Sequence, residues 1–118
     1  MTLDEFFADQ PLSRQIYEAV YRALRDLGPL EPRITKSQIA FKHSRDFAWV
    51  WMPEQHLRRK AAPLVLSLAF TNRDPSPRWK EIVEPRPGRF MHHLELYSPA
   101  EVDDEVGVWM REAWDEAA

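Results

Sequence analysis

An apolar stripe at helical spacing, a long alternating middle and a second capped helix predict a two-layer α+β domain. Residues 13–27 carry Ile16, Val20, Ala23, Leu24 and Leu27 at three- and four-residue steps, one face of a helix. From residue 34 to 97 the period drops to two, the mark of strands. Ser98, Pro99 and Glu101 then make the pattern of a capping box before a helix over 98–116. The expected architecture is an antiparallel meander sheet of about five strands, with N- and C-terminal helices on one face. Residues 1–118 are read as one domain, with 1–12 as a lead-in segment.

Each element has its own signal. Ser13 is placed to cap the first helix, and Gly28-Pro29 stops it. A first strand over 34–43 puts Thr35, Ser37, Ile39 and Phe41 on one face and Lys36, Gln38, Ala40 and Lys42 on the other. Residues 44–46 suit a hairpin turn. The second strand, 47–52, alternates Phe47, Trp49 and Trp51 with Ala48, Val50 and Met52. Both of its faces are apolar, so the pattern does not choose the buried one. A polar, basic connection with His56 and Arg58-Arg59-Lys60 leads to the third strand, 63–71. There Leu64, Leu66, Leu68 and Phe70 oppose Val65, Ser67, Ala69 and Thr71. The helices are expected on the leucine face, and the small residues leave room on the other. Two prolines hold the loop 72–78 extended, and strands at 79–83 and 90–97 flank a turn at 85–88.

Composition narrows the function classes. The 118 residues include no cysteine, which removes disulfides, thiol catalysis and thiolate metal sites. No apolar run approaches the ~18 residues of a membrane helix, and the acidic start lacks a basic-then-apolar leader. A cytoplasmic protein without membrane partners is the expectation. Net charge is −3, but residues 33–93 hold 12 basic and 5 acidic side chains, while 94–118 hold 1 and 8. The plainer and favoured reading is helices that are acidic outside and strands that are basic; the functional one is an anion-attracting sheet beside an acidic helix. Five Trp and six Phe exceed what a core of this size needs, so some rings are expected on a working face.

The string Ile34-Thr35-Lys36-Ser37-Gln38-Ile39-Ala40-Phe41-Lys42, then Phe47, Leu64-Val65-Leu66-Ser67-Leu68 and Asp74-Pro75-Ser76-Pro77-Arg78, resembles a family of small bacterial domains of unknown function. Gly88, a His-containing strand and the closing Arg111-Glu112-Ala113-Trp114 fit the same pattern, so the likeness spans about residues 35–114. The resemblance implies the α+β fold and, because such domains occur beside nuclease-like modules, a nucleic-acid setting. It carries no catalytic residues with it.

The candidate chemistry gathers on one sheet face. His92 and His93 are adjacent in a strand and point to opposite sides. His92 goes with Phe90, Leu94 and Leu96 toward the core; His93 goes with Met91, Glu95 and Tyr97. Lys36, Lys42, Trp49, Trp51, His93, Glu95 and Tyr97 are the predicted ligand-binding residues. Lysines interleaved with aromatics hold a nucleotide or single-stranded nucleic acid, rings stacking on bases and cations meeting phosphates. His93 and Glu95 offer a metal or general-base pair as an alternative, although a third ligand is lacking. A third reading makes the aromatic face a homodimer interface. Arg58-Arg59-Lys60, with Arg45, Arg78, Arg86 and Arg89 in other loops, offer a phosphate-binding rim, against the plainer and favoured reading as solvated charges. There is no P-loop, dinucleotide glycine pattern, Gly-x-Ser-x-Gly or His-Glu-x-x-His, and no cofactor is implied. Enzyme activity is the minority expectation.

Overall fold

In a computed structural model describing residues 1–53 and 61–118, six antiparallel strands form one open sheet. The helices are α1 (Leu3–Phe6), α2 (Pro11–Arg25) and α3 (Asp104–Glu116), the last preceded by a 3-10 turn at Pro99–Glu101. The strands are β1 (Arg33–Ile34), β2 (Ile39–Lys42), β3 (Asp46–Trp51), β4 (Leu64–Phe70), β5 (Glu81–Arg86) and β6 (Arg89–Leu96). The α+β class holds, with six strands rather than five. The run 34–43 is not one strand: Thr35 Oγ1 accepts the N–H groups of Ser37 and Gln38 at 3.4 and 3.3 Å. That side-chain turn offers the backbone an alternative to the ladder and folds the run into the β1–β2 hairpin.

The strand order β1-β2-β3-β4-β6-β5 also departs from a meander, because β6 inserts beside β4 and leaves β5 at the edge. β4 and β6 pair over their full length, from Leu64 opposite Leu96 to Phe70 opposite Phe90. The loop 71–80 must therefore pass from β4 over β6 to reach β5. Trp79 pins that loop, packing against Phe70, His92 and Trp109 while its Nε1 donates to Asp74 Oδ2 at 2.9 Å. β5 suits an edge: it contains Pro85, and most of its side chains are exposed.

One hydrophobic cluster joins the helices to a single sheet face. Ile16, Tyr17, Val20 and Leu24 of α2 and Val106, Trp109, Met110, Ala113 and Trp114 of α3 meet Leu64, Leu66, Leu68, Leu94 and Leu96. Each fully buried leucine contributes about 2 kcal/mol of transfer free energy. Phe47 reaches the same side through a register step: Phe41 opposes Ala48 and Lys42 opposes Asp46, so Phe47 is the extra residue of a bulge. Its ring meets Trp114 edge-on at 5.5 Å. The buried face of β3 is thus Ala48 and Val50, with Trp49 and Trp51 on the other side.

The helix ends correct the expected caps. Ser13 lies inside α2, where its Oγ donates to Pro63 O at 2.6 Å and ties the helix to the start of β4. Ser98 makes no capping bond; Glu101 Oε1 accepts from Tyr97 N instead. Asp103 caps α3 by accepting from Val106 N at 3.1 Å. At the other end of α3 the β2–β3 turn supplies donors to the orphan carbonyls. His43 Nδ1 donates to Trp114 O at 2.7 Å, Arg45 Nη2 to Glu116 O at 2.6 Å, and Ser44 N to Ala117 O at 2.9 Å. The lead-in segment is helical, with a reciprocal Thr2–Glu5 capping box, and it buries Phe6 and Phe7.

Candidate ligand face of the sheet

The side of the sheet away from the helices is where the predicted site residues were expected. Cross-strand register aligns Ala40, Trp49, Ser67, His93 and Glu81 in one row over five strands. Small side chains at the centre, Val65, Ser67 and Ala69, are themselves buried, so this face is a floor walled by larger neighbours. Among the described residues, Trp49, Trp51, Met91 and His93 rise around Ser67, with Ser37 and Gln38 of the β1–β2 turn at one margin. They enclose an open hollow of about 480 Å³.

A hydrogen-bonded chain fixes the floor of that hollow. Trp51 Nε1 donates to Ser67 Oγ at 2.9 Å, and Ser67 Oγ stands 2.6 Å from His93 Nδ1. The indole N–H can only donate, which occupies one acceptor position of the buried hydroxyl and leaves its proton free to go to His93 Nδ1. With that proton given to Nδ1, His93 is the Nε2–H tautomer. Burial lowers its pKa below the ordinary value of 6.5, against the pull of Glu81 beside it, so it is neutral at physiological pH. The ring meets Trp51 edge-on, centroids 6.0 Å apart. Above Trp49, the Arg89 guanidinium lies 5.9 Å from the ring centroid. Ser67 is only 2% exposed, and its Oγ is engaged by both Trp51 and His93, a poor position for a nucleophile.

The predicted residues do not all meet. Trp49, Trp51 and His93 line the hollow. Lys36 sits exposed in the β1–β2 turn, next to the lining residue Ser37, and Lys42 is exposed at the end of β2. Glu95 and Tyr97 open instead onto a separate depression with Arg78, Trp79 and Lys80, and Tyr97 Oη donates to Glu95 Oε1 at 3.4 Å. His93 is hydrogen-bonded to Ser67 rather than to Glu95. No group of three or more His, Asp or Glu side chains among the described residues is placed to hold a metal ion. The two-residue period sets Ser67 and Met91 on this face, but neither was among the predicted ligand-binding residues.

Of the loop cations, Arg78 is consumed structurally: its Nη1 donates to Asp103 and Glu105, and its Nη2 to Glu101 O. His56 and Arg58-Arg59-Lys60 lie outside the described residues. No described helix is long and apolar enough to cross a membrane.

Helices on one face of an open antiparallel sheet, with an aromatic hollow on the other, define a small two-layer α+β domain. The chain belongs to the family described as Domain of unknown function (DUF5655), whose model matches residues 3–117. That span takes in α1 and almost the whole chain, more than the 35–114 expected from the sequence. No curated protein and no solved structure matches it.

Proposed function

We propose that this domain is a cytoplasmic binding module whose open sheet face takes an anionic ligand with a flat ring, a nucleotide or single-stranded nucleic acid. The observation that carries this reading is the distribution of the five tryptophans. Trp79, Trp109 and Trp114 are buried with the helices, whereas Trp49 and Trp51 are half-buried beside the hollow. Two large rings left part-wet side by side on a sheet face make an apolar patch of the kind that marks an interaction site. The lining is aromatic, hydroxyl, amide, thioether and neutral imidazole, which suits a heteroaromatic base with hydrogen-bonding edges. Arg89 over Trp49, with Lys36 in the adjoining turn, supplies positive charge for the phosphate.

Titration of intrinsic fluorescence at low salt with mononucleotides and short single-stranded oligonucleotides tests the reading. Quenching is expected in the parent protein and in Trp109→Phe, and its loss in Trp49→Ala. No quenching in a folded protein sinks the proposal. Emission that changes with protein concentration alone assigns the face to self-association instead.

A further inference from the structure

We propose a second site, an oxyanion cleft built from Arg45, Arg86 and Arg89 that takes a phosphate group. The β2–β3 turn and the β5–β6 hairpin bring these three arginines to one open depression of about 500 Å³, whose only other described lining residue is Pro85. Arg86 and Arg89 stand directly opposite each other across the hairpin. Like charges in that register repel, and neither residue has a carboxylate partner among the described residues. Arg14, Arg33 and Arg78, by contrast, are each matched to one or two carboxylates. A bound anion removes the repulsion that the empty hairpin carries.

The cleft is also shaped in advance. Arg45 gives one Nη to Glu116 O, which fixes its guanidinium and leaves its other donors for a ligand. Gly88, at φ 77°, turns the hairpin tightly enough to set Arg86 beside Arg89. A neighbouring depression shares the same three arginines and is also lined by Asp46 and Glu116; Asp46 Oδ2 accepts from Arg33 and Glu116 Oε1 from Thr71 N, while Asp46 Oδ1 has no hydrogen-bond partner among the described residues. Three arginines lining one depression suit a phosphate, whose oxygens can take forked guanidinium donors, better than a monatomic anion. Arg89 also adjoins the Trp49 ring, so a nucleotide could use both sites, but the cleft needs no ring.

Inorganic pyrophosphate is therefore the probe, followed by calorimetry at low salt and by amide shifts in NMR. Binding is expected, with shifts confined to Thr71, Arg86, Gly88 and their neighbours. Arg86→Gln, which breaks no side-chain hydrogen bond or ion pair among the described residues, should weaken it about tenfold, as removal of a charged donor does. Arg22→Gln, an equal loss of charge on α2, should change it less than about twofold. Without anion, Arg86→Gln should raise the melting temperature, because the cross-strand repulsion is gone. Absence of binding, dispersed shifts, or equal losses in the two variants overturns the cleft. Pyrophosphate binding with no gain for a nucleoside diphosphate retains the cleft and counts against the ring-binding face; the reverse pattern retains only the face.

Discussion

His92 Nε2 accepts the backbone N–H of Asp74 at 2.9 Å, while its Nδ1 donates to Phe90 O at 3.1 Å. A fully buried imidazole thus holds the loop that carries the chain over β6. Protonation would place a second hydrogen against the Asp74 N–H and strand a charge between Phe70 and Trp79.

The pH dependence follows from that contact. Burial lowers the pKa of His92, and likewise of His93, below the ordinary 6.5. Their stabilisation is complete above the unfolded-state value and is lost as pH falls from about 6.5 through the lower folded values, since the unfolded chain binds the protons more readily. Urea midpoints should drop between pH 7.5 and 5.5. His92→Phe should cost about 1–3 kcal/mol at pH 7.5, because Asp74 N–H and Phe90 O lose their partner. It should also flatten the pH slope. An unchanged slope would show that His92 is not the titrating group.

Two glycines are expected to respond oppositely to the same change. A Cβ on Gly28 would lie 2.7 Å from Trp114 Cζ2. The ring cannot retreat easily, because His43 stacks on it at a centroid distance of 3.6 Å with an 8° tilt and Phe47 meets it edge-on. Gly28→Ala should destabilise by about 1–3 kcal/mol. Gly107, inside α3, has nothing within 4 Å of its Cβ position, so Gly107→Ala should stabilise by about 0.5–1 kcal/mol. Thermal melts of the two variants check both signs.

Helix capping gives a second matched pair. Asp103→Ala removes the cap of α3 and an ion-pair partner of Arg78, and should cost about 1–2 kcal/mol. Ser98→Ala should be nearly silent, since its side chain makes no capping bond. Equal losses would return the helix start to Ser98.

These pairs also mark how far the sequence could be read. The leucine face of β4, the helical stripes and the α+β class follow from periodicity, which burial enforces residue by residue. Strand order does not, because inserting β6 between β4 and β5 leaves every alternation unchanged. Pro85 was the available clue that β5 lies at an edge. Of the two helix starts that carry the capping-box pattern, Thr2–Glu5 realises it, whereas at Ser98 the Glu101 carboxylate is drawn to Tyr97 N. For the site, alternation separated His92 from His93 and grouped Trp49 with Trp51. It could not reveal the Ser67 contact, which depends on which strands are neighbours. Lys36 was misplaced because Thr35 turns the chain just before it.

The two histidines should differ in tautomer although they are adjacent. His92 faces a backbone donor at Nε2 and a backbone acceptor at Nδ1, so its proton is on Nδ1. His93 has its Nδ1 against the Ser67 hydroxyl, and with that hydroxyl as donor its proton is expected on Nε2. Long-range nitrogen–proton NMR spectra above pH 7 distinguish the two patterns directly. In Ser67→Ala the His93 constraint disappears and its ring nitrogens should average toward exchange between tautomers, with His92 unaffected. The same substitution leaves Trp51 Nε1 without its acceptor and should cost about 1–2 kcal/mol. If His93 already shows the Nδ1–H pattern in the parent protein, Ser67 is an acceptor from both neighbours. The hollow would then present a bare Nε2 to its ligand, an acceptor where a donor is expected.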